Sequence, residues 1–227
     1  MWDRPEDEAT EQTRFVLGVT GNIAVGKSTV VKMLAVRGAT VIDADRVYHE
    51  LIAPGQPLLE KIRERFGDGV IREDGSLDRP ALGAIVFNDD GALADLDRIT
   101  HPAVIAEIDR RVASASGVVV IDAVKLVESG HADTCDAVWL VVAETGQQVA
   151  RLIECRGLTR ADAERRVTAQ PPLRHKLERA DVIIDNSGTI AATEAQVAEA
   201  WSLIPESIRA AATRVTSRLG SERHDIS

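Results

Sequence analysis

Between residues 18 and 31 the chain reads GVTGNIAVGKSTVV. Gly21 and Gly26 bracket Asn22, Ile23, Ala24 and Val25, and Lys27, Ser28 and Thr29 follow directly. This is the spacing G-x-x-x-x-G-K-[S/T], and phosphate chemistry gives each fixed position a reason. Glycine permits backbone conformations that turn successive N–H groups inward, and it lets the main chain approach a polyphosphate closely. A helix starting near Lys27 adds its positive N-terminal end. Lys27 is placed to reach the β- and γ-phosphates, and the Ser28 hydroxyl to ligate Mg²⁺. A glycine turn carrying a surface lysine is the alternative. It does not require the apolar strand before the loop (FVLGV) or the helical pattern after it (TVVKMLAV).

A second cluster with chemical potential is VIDADRVYHEL. Asp43 and Asp45 stand at the carboxyl end of an apolar run, the edge at which ligands bind in open α/β sheets. A carboxylate there is suited to take the proton from an acceptor hydroxyl. The competing reading is a helix cap at Asp45. Five arginines, Arg151, Arg156, Arg160, Arg165 and Arg166, crowd the stretch after a fourth apolar run. Cations are needed on the equatorial oxygens of a phosphoryl group in flight. Solvated ion pairs with Glu154, Asp162 and Glu164 are the expected fate of most of them.

These residues need a scaffold. Apolar runs rich in Val and Ile occur at residues 15–19, 39–42, 118–121, 138–142 and 182–184. They are continuous rather than alternating, as expected of strands buried on both faces. Helical patterns separate them, which predicts an α/β fold with a five-stranded parallel sheet. The stretch over residues 46–117 is too long for one crossover and predicts a helical insertion. Within it, Pro102 is expected to open a helix at a first helical position.

Composition bounds the function. The chain has 227 residues and a formal net charge of −9, with 44% hydrophobic and 3% aromatic residues. An acidic chain argues against nucleic acid as a partner and leaves room for a local basic pocket. No apolar run is long enough to span a membrane. Cys135 and Cys155 have no metal-ligand spacing and are expected as reduced thiols in a cytoplasmic protein. Residues 1–14 lack the apolar segment of a secretory signal and are expected to be a disordered extension. Residues 206–227 are expected to be a tail.

Taken in order, VTGNIAVGKSTV, GATVIDADRV, APG, DGSLDRPALGAIVF, ITHP, AQ and ADVIIDNSG resemble the dephospho-CoA kinase family over residues 15–201. That resemblance implies a P-loop kinase core (15–45 and 118–205), a helical acceptor-binding insertion (46–117) and a lid (148–175). It implies transfer of phosphate from ATP, with Mg²⁺, to the ribose 3′-hydroxyl of dephospho-CoA, giving CoA and ADP in the last step of coenzyme A biosynthesis. Residues 21–29, with Asn186 and Gly188, would hold ATP. Asp45 would be the general base, with Lys27 and either Arg151 or Arg156 on the phosphates. Thr20, Asp43 and His101 would lie on the acceptor side, and Ser28 with Asp122 on the metal. Partners beyond ATP and dephospho-CoA are not expected, and the chain would be a monomer or weak homo-oligomer.

The chain departs from the family pattern at Asn22 and Ala24, where glycine is usual. It departs again at Val124 and Lys125, which stand where Pro and Leu are common. A nucleoside or sugar kinase of the same fold and a non-catalytic nucleotide-binding module are the other readings. The N-K-x-D motif of a guanine-reading switch is absent from the sequence.

Overall fold

The computed structural model describes residues 14–210. The proposed extension therefore lies outside the described residues except for Arg14, which opens the first strand. Of the proposed tail, residues 211–227 lie outside. Residues 206–210 are helical, and the Ile208 side chain is buried in the core.

The chain divides into two compact units, residues 42–114 and the remainder. The first to be described is the larger. Its strands are β1 (Arg14–Gly21), β2 (Thr40–Asp43), β3 (Gly117–Asp122), β4 (Ala137–Val142) and β5 (Val182–Asp185), with β2 running on into the second unit. They form one parallel sheet in the order β2-β3-β1-β4-β5. β1 is central, with Phe15 opposite Val118 on one side and Val19 opposite Trp139 on the other. Every residue of β3 is buried, so the run GVVVID has no polar face to alternate with.

Helix α1 (Lys27–Val36) begins where the glycine loop ends, with Gly26 at its N-cap in the left-handed region (φ 86°). After β4 come α6 (Thr145–Arg156), stopped by left-handed Gly157, and α7 (Arg160–Thr168), capped by the Thr159 hydroxyl. They are followed by α8 (Arg174–Arg179), and α9 (Ile190–Ser202) comes after β5. One core joins Leu17, Val19, Val120 and Trp139 of the sheet to Leu34 of α1 and Trp201 of α9. Each such large side chain contributes roughly 1.5–3 kcal/mol by leaving water.

The second unit contains α2 (Ala44–Leu51), α3 (Pro57–Phe66), α4 (Arg79–Val86) and α5 (Asp90–Ser114). Its own core is built on Ile52, Leu59, Ile62, Val70, Leu82 and Val86.

Pro102 does not open a helix here. It lies inside the 25-residue α5, whose start is capped twelve residues upstream by the Asp89 carboxylate accepting from Ala92 N–H at 3.0 Å. The reason is the apolar stripe Ala92, Leu96, Ile99 and Ala103, which packs into the core on both sides of the proline. Burying that stripe offsets the roughly 3 kcal/mol that an interior proline costs.

Candidate active site

The loop between β1 and α1 is held from below by close backbone approach. A Cβ on Gly21 would stand 2.6 Å from the Val141 carbonyl oxygen of the neighbouring strand. Thr20, just before it, is fully buried, and its hydroxyl donates to the Val124 carbonyl at 3.0 Å. Val25 is buried in the core and anchors the middle of the loop. Ser28 is exposed on the first turn of α1, with Thr29 half-buried beside it.

The Lys27 ammonium, on the same first turn, donates to the Asp122 carboxylate at the end of β3. Both side chains are largely buried, so the carboxylate aims a cation that has few other rotamers available. β1 and β3 are neighbours in parallel register, with Val19 opposite Asp122. The pairing thus brings two residues far apart in sequence to one sheet edge.

The far half of the loop is held by the turn after β5. Asn186 is buried; its Nδ2 donates to the Val25 carbonyl at 2.8 Å, and its Oδ1 accepts from the Thr193 hydroxyl at 2.9 Å. Asp185 shapes this turn by accepting from Ser187 N–H at 2.9 Å, and hydrogen bonds from Ser187 hold its carboxyl below the usual carboxylate range. Gly188 is exposed, and a Cβ there would make only ordinary contact with Ala192.

Arg151 joins the pieces. Its guanidinium donates to the Ala24 carbonyl at 3.1 Å, the Asn186 carbonyl at 2.7 Å and Gln147 Oε1 at 3.2 Å. Arg156, at the end of α6, is exposed and has no ion pair among the described residues. Two of the remaining arginines are in surface pairs: Arg160 with Glu164 at 2.9 Å, and Arg165 with Asp162.

Two residues that sequence reasoning did not single out touch the near half of the loop. Gln170 Oε1 accepts from Ile23 N–H at 2.6 Å. Lys176 is buried and donates to the Val124 carbonyl at 2.7 Å, with Glu128 at 3.3 Å and Asn22 Oδ1 at 3.4 Å also in reach. Gln170 falls in the short AQ motif, which gave a signal without a role, whereas nothing in the sequence marked Lys176. Ile23 and Ala24 also pack on a small apolar cluster of α6 and α7 built on Val149, Leu152 and Ala163.

Asp43, Asp45 and His101 belong to the second unit. The cap of α2 falls on Asp43, not Asp45: the Asp43 carboxylate accepts from Arg46 N–H at 3.1 Å. Helix α2 begins at Ala44, so Asp45 is an exposed first-turn residue with no part in the cap. His101 lies within α5, with Nε2 at 3.3 Å from Asp97 Oδ1.

The donor set suits a hard cation in its chemistry. Ser28 and Asp122 offer one hydroxyl and one carboxylate, the oxygen ligands that Mg²⁺ takes alongside phosphates and water. Among the described residues there is no cluster of three or more His, Cys, Asp or Glu that would hold a metal without such a substrate.

Comparison with known proteins gives a consistent picture. The profile of the family described as dephospho-CoA kinase matches residues 15–192. A dephospho-CoA kinase of Symbiobacterium thermophilum is 50% identical over 190 residues, covering 82% of this chain and 80% of that one. Among solved structures, the protein TT1252 of Thermus thermophilus superposes with a TM-score of 0.73 at 28% identity, covering 85% of this chain and 98% of that one. Dephospho-CoA kinase from Campylobacter jejuni superposes with a TM-score of 0.62 at 26% identity, covering 84% and 97%.

Proposed function

The chain belongs to the dephospho-CoA kinase family, and on that premise we propose how its residues divide the transfer of a phosphoryl group from ATP to the ribose 3′-hydroxyl of dephospho-CoA. The products are CoA and ADP, and the step is the last in coenzyme A biosynthesis.

The loop over residues 21–29 receives the phosphates on its main-chain amides, except the Ile23 N–H that Gln170 takes, helped by the positive end of α1. Lys27, aimed by Asp122, neutralises charge on the β- and γ-oxygens. Ser28 and Asp122 would hold Mg²⁺, which when bound offsets further phosphate charge. Arg151 lies against the loop through the Ala24 carbonyl, which supports it over the exposed Arg156 as the arginine serving the phosphates. Asn186 and Gly188 are assigned to the adenine side. Asn186 has both ends of its side-chain amide committed to the loop and α9, so it sets the position of that wall rather than reading the base with its amide.

Asp45 takes the proton as the 3′-oxygen attacks the γ-phosphorus and the bond to the β,γ-bridging oxygen breaks. Its support is an exposed carboxylate free of capping duty, two residues past the end of a strand. Asp43 and His101 are assigned to the acceptor side. Thr20 is better supported as a residue that fixes the loop, since its hydroxyl is spent on Val124. A cytoplasmic place is supported by Cys135 and Cys155 standing as thiols outside any disulfide. No helix among the described residues is long and apolar enough to cross a membrane.

The observation that carries the assignment is the Lys27–Asp122 pair beneath a glycine loop flanked by a buried strand and a helix. The test is Asp45→Asn assayed with ATP, Mg²⁺ and dephospho-CoA. Turnover is expected to fall by roughly 10²–10⁴ with ATP affinity retained. Unchanged turnover would remove Asp45 from the base role.

A further inference from the structure

We infer that Gln170 and Lys176 are positioning residues for ATP: together they fix the near half of the phosphate loop, Asn22–Ile23, as Arg151 and Asn186 fix the far half. The inference rests on residues 21–28 being the phosphate-binding loop.

A phosphate loop works only if its amides are already aimed when the ligand arrives, because a floppy loop spends binding energy on its own ordering. The far half is visibly braced, since Asn186 and Arg151 take the carbonyls of Ala24 and Val25. The near half has no neighbour in the sheet to do this. Its brace comes from the segment that follows α7. Gln170 accepts the Ile23 N–H at 2.6 Å, which settles an amide at the loop's bend. Ile23 and Ala24 are seated on the α6–α7 cluster, so the loop is held by packing on those helices as well as by the hydrogen bond to Gln170.

Lys176 supplies the second contact. It is 4% exposed, and a buried ammonium is costly unless all three of its donors find acceptors. Three stand in reach, from three places: the Val124 carbonyl after β3, the Glu128 carboxylate and the Asn22 side chain. The Val124 carbonyl also accepts from Thr20, immediately before the loop. One buried cation thus ties the exit of β1, the exit of β3 and the first residue of the loop into a single rigid corner.

The experiment uses the full chain with near-isosteric replacements, Gln170→Met and Lys176→Met, which keep volume and remove the hydrogen bonding. ATP binding is measured by calorimetry, and KM is measured separately for ATP and dephospho-CoA. Each variant is expected to weaken ATP binding about five- to thirtyfold while KM for dephospho-CoA stays within twofold. A residue that served only general stability would lower the melting temperature and leave both constants alone.

Hydrogen exchange at the Ile23 amide gives a readout independent of turnover. Protection is expected to drop in Gln170→Met and to be restored in Gln170→Glu, which keeps an acceptor oxygen at the same reach. Gln170 is only half-buried, so this variant reports even if Lys176→Met does not fold. ATP affinity within twofold of the parent in the folded variants, or Ile23 protection unchanged in Gln170→Met, would overturn the inference. A parent protein that fails to bind ATP would instead bring down the reading of the loop itself.

Discussion

Asn186 Nδ2 lies so close to Gly26 that a Cβ at residue 26 would stand 2.0 Å from it. The asparagine cannot step aside cheaply, because its amide is bonded to Val25 and Thr193 at opposite ends. Gly26 also sits at φ 86°, where an L side chain is strained. Gly26→Ala is therefore expected to cost about 1–3 kcal/mol of stability and to abolish measurable ATP binding. Urea denaturation and calorimetric titration would check the two effects separately.

The Lys27–Asp122 pair makes a thermodynamic prediction distinct from its chemical one. Lys27→Met leaves a mostly buried carboxylate without its ammonium and is expected to destabilise by about 3 kcal/mol. Adding Asp122→Asn removes the stranded charge and should recover part of that loss. Both variants should lose most turnover. A double variant no more stable than Lys27→Met would show that the pair is not coupled.

Ala24 is the one non-glycine residue with positive φ among the described residues, at 58°. Alanine tolerates that region at modest cost, and its methyl packs on the α6–α7 cluster. Ala24→Val puts a β-branched side chain into the same conformation and should cost upward of about 1 kcal/mol and raise KM for ATP. Ala24→Gly trades relief of strain against a more disordered unfolded chain and should change stability by less than about 1 kcal/mol. Thermal unfolding of the two variants side by side tests the contrast.

The second unit carries its own acid sensitivity. Hydrogen bonds from Arg110 and Arg111 hold the Glu107 carboxyl at about 2. A carboxylate with a depressed folded pKa contributes stability above its unfolded value of roughly 4.3 and loses it as pH falls through the folded one. Stability should thus decline from about pH 4.3 toward pH 2, with Glu50 and Asp95, also held low by arginine hydrogen bonds, adding to the fall. Glu107→Gln should make the decline shallower in urea midpoints taken across that range.

The five strands and the phosphate loop were legible because their signals are local. Runs such as VVVI announce burial on both faces, and the loop's glycines, lysine and serine follow one another in eight residues. Longer-range facts were not. Pro102 reads as a helix start until the stripe from Ala92 to Ala103 is seen packing on a core. The cap at Asp43 was displaced to Asp45 because either aspartate satisfies the same local rule. Gln170 and Lys176 sit about 150 residues from the loop they touch, and no spacing rule connects them to it. The family resemblance supplied what local chemistry lacked, the identity of the acceptor.

The central place of β1 has a consequence for how the protein is made. It leaves the ribosome well before its neighbours, residues 117–122 and 137–141. At roughly 5–20 residues per second, its partners arrive on the order of five to twenty seconds later. Throughout that wait a bare apolar ribbon, RFVLGVTG, has nothing to pair with, while the helices of residues 44–114 can already settle on one another. Nascent chains halted before residue 117 are therefore expected to engage chaperones through this ribbon, and those released past residue 142 to bury it.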